Sequence, residues 1–211
     1  MADYQTDEEK VEAIKQWWKE NGASVVLGVV VGVGVIFGWR AWQGYEDGQA
    51  QQASATFEQL LAVASRDPVD PTAVYRLGER LQDDYGSTPY PALAALVEAR
   101  VAFKDGNGEQ AKQALERAMA EAPDPAIDTI AALRLARLLI GEQDLAGAKA
   151  ILQDREISEA FAGELAALQG DIAAAEGDIV AAQAAYRQAI ERGASQAWLI
   201  EMKLADLPAP G

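Results

Sequence analysis

Three stretches of this chain decide its fold: ARVAFKDGNGEQAKQALERA (Ala99–Ala118), ARLLIGEQDLAGAKAILQDR (Ala136–Arg155) and GDIAAAEGDIVAAQAAYRQA (Gly170–Ala189). Each opens on a small residue and reaches a turn residue eight positions later, at Asn107, Asp144 and Asp178. Four further on come Ala111, Ala148 and Ala182, and four beyond those stand Leu115, Leu152 and Tyr186. A four-residue step returns a side chain to the same helix face, whereas Gly, Asn and Asp favour turns. Each stretch therefore predicts two helices, joined at a tight turn and pressed together where their residues are small.

The starts are 37 and 34 residues apart. This resembles the tetratricopeptide pattern, a 34-residue helix-turn-helix unit that cannot bury its apolar face alone and so stacks in series. Pro123 closes the first unit as that pattern expects. The match departs from the pattern at Arg155, which replaces a late alanine. Ala95, Ala132 and Ala166 stand where aromatic residues are usual. Upstream, AVYRLGERLQDDYG (Ala73–Gly86) reads as half of a further unit. Downstream, AWLIEMKLADL (Ala197–Leu207) reads as a helix capping the last repeat, with Pro208 to stop it. A helix over Thr56 to Ser65 is expected to end before Asp67-Pro68, and the next to begin after Asp70-Pro71. The predicted fold class is all-α: a single N-terminal transmembrane helix, a tetratricopeptide-like solenoid of helical hairpins, and a capping C-terminal helix.

The predicted span comes from NGASVVLGVVVGVGVIFGW (Asn21–Trp39), where no charge falls between Glu20 and Arg40. A helix of about 20 apolar residues crosses the hydrocarbon core. Trp17 and Trp18 precede the run and Trp39 and Trp42 follow it. The pairs lie roughly 31 Å apart on a helix, matching the two interfaces where such rings collect. A buried core helix seldom runs this far without a charge, and a cleaved signal peptide would carry small residues where Trp39, Arg40 and Trp42 stand. Gly28 and Gly32, and Gly34 and Gly38, form two small-x-x-x-small pairs about 120° apart around the helix. They offer two close-packing faces, for a homodimer and for a different subunit. The competing reading is that glycine is simply common in membrane helices.

Four segments are expected: 1–22 as a cytoplasmic amphipathic segment, 23–42 as the span, 43–54 as a juxtamembrane link, and 55–211 as the repeat domain. The first begins with a capping box, Thr6 and Glu9, carries Val11, Ile14 and Trp18 on one face, and breaks at Asn21-Gly22. Lys10, Lys15 and Lys19 lie close before the span, against Arg40 alone behind it. The positive-inside rule then puts the N-terminus in the cytoplasm and the large domain outside.

Composition narrows the chemistry. The chain carries 18 basic and 33 acidic residues, a formal charge of -15. Residues 1–22 account for -3 and Arg40 for +1, which leaves -13 on the rest. Nucleic acid as a partner is excluded by that balance. Cysteine and histidine are absent, removing thiol nucleophiles, Cys or His zinc sites and the usual neutral-pH proton shuttle. Carboxylate pairs such as Asp83-Asp84 point about 100° apart on a helix and do not converge. The chain reads as a non-enzyme, with no catalytic, metal or cofactor site.

A short helix with KVEAIKQWWKENG, the span GVVVGVGVIFGWRAW, then YGSTPYPALAALVEARVAF, LRLARLLI, GDIVAAQAAYRQAI and a terminal EMKLADL together resemble the YfgM family, in the same order and over essentially the whole chain. The resemblance implies a single-span protein of the bacterial inner membrane with a periplasmic tetratricopeptide-like domain. It also implies an ancillary subunit of the SecYEG translocon, associated with the periplasmic chaperone PpiD and assisting exported client proteins. The alternative is a dimeric membrane-anchored scaffold for other envelope complexes, without client binding.

Stacked hairpins expose a groove formed by the first helix of each unit. Alignment of the repeats assigns Leu93, Leu96, Arg100, Phe103 and Lys104 to it from one unit, and Ile130, Leu133, Arg137 and Ile140 from the next. Arg100 and Arg137 fall at equivalent places. They could together hold an acidic side chain or a peptide carboxylate, or they pair with neighbours such as Glu98 and face solvent.

Overall fold

Beyond Ala64 turn residues cut the alanine-rich sequence into helices at the expected places, while the helix expected over Thr56 to Ser65 is the end of a longer one, Asp7–Ala64. The computed structural model describes residues 7–155 and 157–208. The predicted capping box falls on Thr6, outside the described residues. Two compact units divide the chain, Met1–Gln49 and Ala50–Gly211.

In the first unit α1 (Asp7–Ala64) carries the apolar run, and it continues into the second. The expected break at Asn21-Gly22 is absent. The Asn21 side chain donates to the Trp17 carbonyl at 3.1 Å, and the Trp18 ring lies over Gly22, so both residues are satisfied within the helix. Residues 43–54 are helical as well, so no loop follows the span. Val26 through Phe37 present their large side chains to the outside; Phe37 is 67% exposed. This helix is long and apolar enough to cross a bilayer, and a core helix would have its valines covered.

The second unit pairs its helices in sequence order. The end of α1 packs with α2 (Pro71–Tyr85) and α3 (Tyr90–Lys104), through Leu60, Val74, Leu81 and Val101. Three hairpins carry the aligned repeats. They are α3 with α4 (Gly108–Ala120), α5 (Pro125–Gly141) with α6 (Leu145–Gln153), and α7 (Ala162–Ala175) with α8 (Ile179–Glu191). A short 3-10 turn (Glu159–Phe161) leads into α7, and α9 (Ala197–Asp206) packs on α8.

Each predicted turn residue caps the second helix of its hairpin. Asn107, Asp144 and Asp178 accept from the backbone N–H groups of Gln110, Gly147 and Ala181 at 3.1, 2.9 and 2.9 Å. Such a cap contributes about 1 kcal/mol by satisfying an otherwise orphaned donor. Just before each cap the chain passes through the left-handed region, at Gly106, Gln143 and Gly177, with φ of 78°, 65° and 80°. The paired bonds Asn107 N–H to Ala102 and Gly106 N–H to Phe103, repeated at the other two turns, close each first helix.

Small residues do the packing. Ala99, Ala136, Ala111, Ala148 and Ala182 are buried, as are Leu115, Leu152 and Tyr186. Gly170 is matched to Tyr186: a Cβ there would run into the ring at 2.5 Å. The larger aromatic therefore needs the smallest partner. Tyr186 also donates to Asp171 at 2.8 Å, and Lys203 of α9 reaches the same carboxylate at 2.6 Å, tying the last helix to α7 and α8. Burial, then the Asp171 hydrogen bond and charge, push the Tyr186 hydroxyl up from its ordinary range.

Candidate functional site: a cleft across two repeats

A cleft of about 800 Å³ opens between α3, α4 and α5. Its apolar floor includes Leu96, Ala99, Leu115 and Leu138; Phe103 stands at its side, 63% exposed. Three arginines line it: Arg100 from α3, and Arg134 and Arg137 from α5. Glu142 and, from the turn before α9, Gln196 complete the polar part.

Repeat geometry explains why these side chains converge. Arg100 and Arg137 occupy equivalent positions one unit apart, and Arg134 precedes Arg137 by three residues, which puts both on one face of α5. Burial lowers the affinity of the Arg134 guanidinium for its proton, and the charges of Arg100 and Arg137 lower it further. The three like charges are near enough to act on one another. Arg137 also helps hold the Glu164 carboxyl down. Burial alone would raise that group, but hydrogen bonds from Ser195 and the Arg137 charge outweigh it.

Among the sequence-assigned groove residues, the cleft joins Leu96, Arg100, Phe103 and Arg137. Leu133 is elsewhere, buried in the core, while Leu93, Ile130 and Ile140 pack against that core as partly covered side chains. Lys104 is exposed, outside the lining. Helix α5 is covered on more of its circumference than a first-helix groove position requires, which draws Leu133 inward. Arg134 was not assigned from the sequence, although its three-residue spacing from Arg137 carried the signal. Pairing of Arg100 with Glu98 does not occur: Glu98 is only 6% exposed and bonds Arg117 of α4 instead. Burial raises the Glu98 carboxyl and the Arg117 charge partly offsets that. A second hollow of about 310 Å³ surrounds this pair, lined also by Tyr75, Gly78 and Gln82.

The residues of the apolar run keep to the helix surface. Trp17, Trp18, Trp39 and Trp42 are all more than half exposed, and the first two rings lie 6.4 Å apart. A Cβ built on Gly28, Gly32, Gly34 or Gly38 meets nothing within 4 Å, so no packing inside the chain requires glycine there.

Comparison with known proteins gives a consistent result. The model of the tetratricopeptide repeat-like domain family matches residues 15–209. A protein of Haemophilus influenzae named ancillary SecYEG translocon subunit is 32% identical over 202 residues, covering 95% of this chain and 97% of the relative. Proteins of the same name from Aggregatibacter actinomycetemcomitans and Escherichia coli are 32% and 28% identical, over 95% and 99% of this chain and 97% and 93% of theirs.

Proposed function

This chain belongs to the family of ancillary SecYEG translocon subunits with a tetratricopeptide repeat-like domain, and from that premise we propose that it acts at the Sec translocon by binding proteins rather than by catalysis. The apolar part of α1 anchors it in the inner membrane as a single span, with the lysine-bearing N-terminus in the cytoplasm and the repeat domain in the periplasm. There the domain serves as a chaperone or adaptor for exported polypeptides, alongside PpiD. The observation that carries the binding role is the cleft that joins Leu96, Arg100, Phe103 and Arg137 across two repeats. An apolar floor with a few convergent polar groups is the usual form of a binding site.

Phe103 is exposed and lies in the cleft, so a photo-crosslinking amino acid in its place reports directly on occupancy. In native membranes it is expected to capture translocon subunits, PpiD or polypeptides in transit. Recovery of none of these would refute the proposal.

A further inference from the structure

We infer that the cleft recognises an acidic segment of an extended polypeptide, its carboxylates held by Arg100, Arg134 and Arg137 while a neighbouring apolar side chain rests on Leu96, Phe103 and Leu138. The inference rests on the reading of this cleft as a partner-binding face and adds the chemistry of what it takes.

The first support is where the cations of the domain go. Arg117 bonds Glu98, Lys149 bonds Glu176 at 2.6 Å, Arg155 bonds Asp128 at 3.1 Å, and Lys203 bonds Asp171 at 2.6 Å. Acids outnumber bases, so partners are plentiful. Yet Arg100, Arg134 and Arg137 form no hydrogen bond or ion pair among the described residues, although they lie together. Arg66, Arg76, Lys104 and Lys112 are likewise without a side-chain hydrogen bond or ion pair among the described residues, but of these seven cations only the three arginines line one cleft. Like charges crowded at a half-buried place disfavour each other, and a carboxylate brought among them relieves this. The Arg134 guanidinium already feels that crowding.

The second support is the shape and polarity of the cleft. A volume of about 800 Å³ holds several side chains, far more than one small ion. Guanidinium groups match carboxylates with parallel N–H bonds, and apolar floor beside them accepts what a carboxylate-bearing peptide carries next to its acids. A polyanionic surface is the wrong occupant. The domain around the cleft carries -13, so nucleic acid or an anionic bilayer is repelled before its charges reach the arginines. A peptide presents carboxylates singly, on a thin chain.

The test uses the full-length protein in nanodiscs of zwitterionic lipid. The probe is a fluorescein-labelled short peptide alternating aspartate with leucine, compared by anisotropy with its asparagine and lysine counterparts. The aspartate peptide is expected to bind about tenfold or more tighter than the asparagine one, with the preference falling as salt rises. Arg100→Gln, Arg134→Gln and Arg137→Gln combined should erase the preference, and the three lysine replacements should keep part of it. Arg134→Glu with Arg137→Glu should favour the lysine peptide. Equal affinity for aspartate and asparagine peptides overturns the inference without any variant, so a variant that fails to fold leaves the test intact. Displacement by inorganic phosphate as readily as by unlabelled peptide also overturns it. If crosslinks from Phe103 persist in the triple glutamine variant, the translocon role stands and the acidic-segment inference falls. If wild-type Phe103 captures nothing, the role itself falls.

Discussion

Glycine behaves in opposite ways in the two regions of this molecule. In the apolar run of α1, Gly28, Gly32, Gly34 and Gly38 have open space where a Cβ would stand. In the repeat domain, three helical glycines sit against a neighbour: Gly163 against the backbone of Ala194, Gly170 against Tyr186, and Gly78 against the Glu98 carboxylate. Glycine costs about 1 kcal/mol in a helix relative to alanine. At Gly78, Gly163 and Gly170 close packing within the chain offsets that cost, whereas at Gly28, Gly32, Gly34 and Gly38 nothing in the chain does. The difference separates a helix surface that the chain leaves uncovered from helix surfaces that it packs closely.

The sharpest way to break the comparison is to enlarge both kinds of glycine. Gly170→Leu has no room beside Tyr186 and is expected to destabilise the repeat domain by about 3 kcal/mol. Gly32→Leu should leave the urea midpoint of that domain unchanged. A smaller effect follows from Asp171→Ala, which strands the Tyr186 hydroxyl and Lys203 together and should cost about 2 kcal/mol, read as early loosening of α9 in hydrogen exchange. Gln143→Gly acts in the other direction. Gln143 holds φ 65° where the equivalent turns use Gly106 and Gly177, so removing its Cβ should stabilise the domain by about 1 kcal/mol in the same urea titration.

The smallest effect depends on pH. Burial raises the Glu98 carboxyl above its ordinary value of 4.5, the Arg117 charge opposing. The folded protein thus holds this proton more tightly than the unfolded chain, and stability from this site falls as pH rises from 4.5 toward the folded value. Glu98→Gln removes that dependence. The stability of the variant relative to wild type should increase across this window; a difference that stays constant with pH would contradict the account.

Much of this arrangement was legible in the residues. Asn107, Asp144 and Asp178 announced three caps because a short polar side chain before a helix has one favourable use. The charge-free run from Asn21 to Trp39 announced an exposed apolar helix for a similar reason: no core of this size would enclose it. Other features depended on neighbours distant in sequence. Asn21-Gly22 reads as a breaker by local propensity, but the Trp17 carbonyl and the Trp18 ring absorb both residues. Leu133 reads as a groove residue by register, yet it is buried in the core shared by the stacked repeats. Alignment compares equivalent positions and so passes over Arg134; Arg137 shares its helix face three residues on, but Arg100 becomes its neighbour only when two repeats stack.

The central claim is that α1 carries the acidic repeat domain to the export side of the membrane. A reporter active only in the periplasm, fused after the C-terminal residue of the full chain, tests it most directly. The account predicts an active reporter in intact cells; an inactive one, with the fusion intact and membrane-bound, would contradict the orientation and the periplasmic role together.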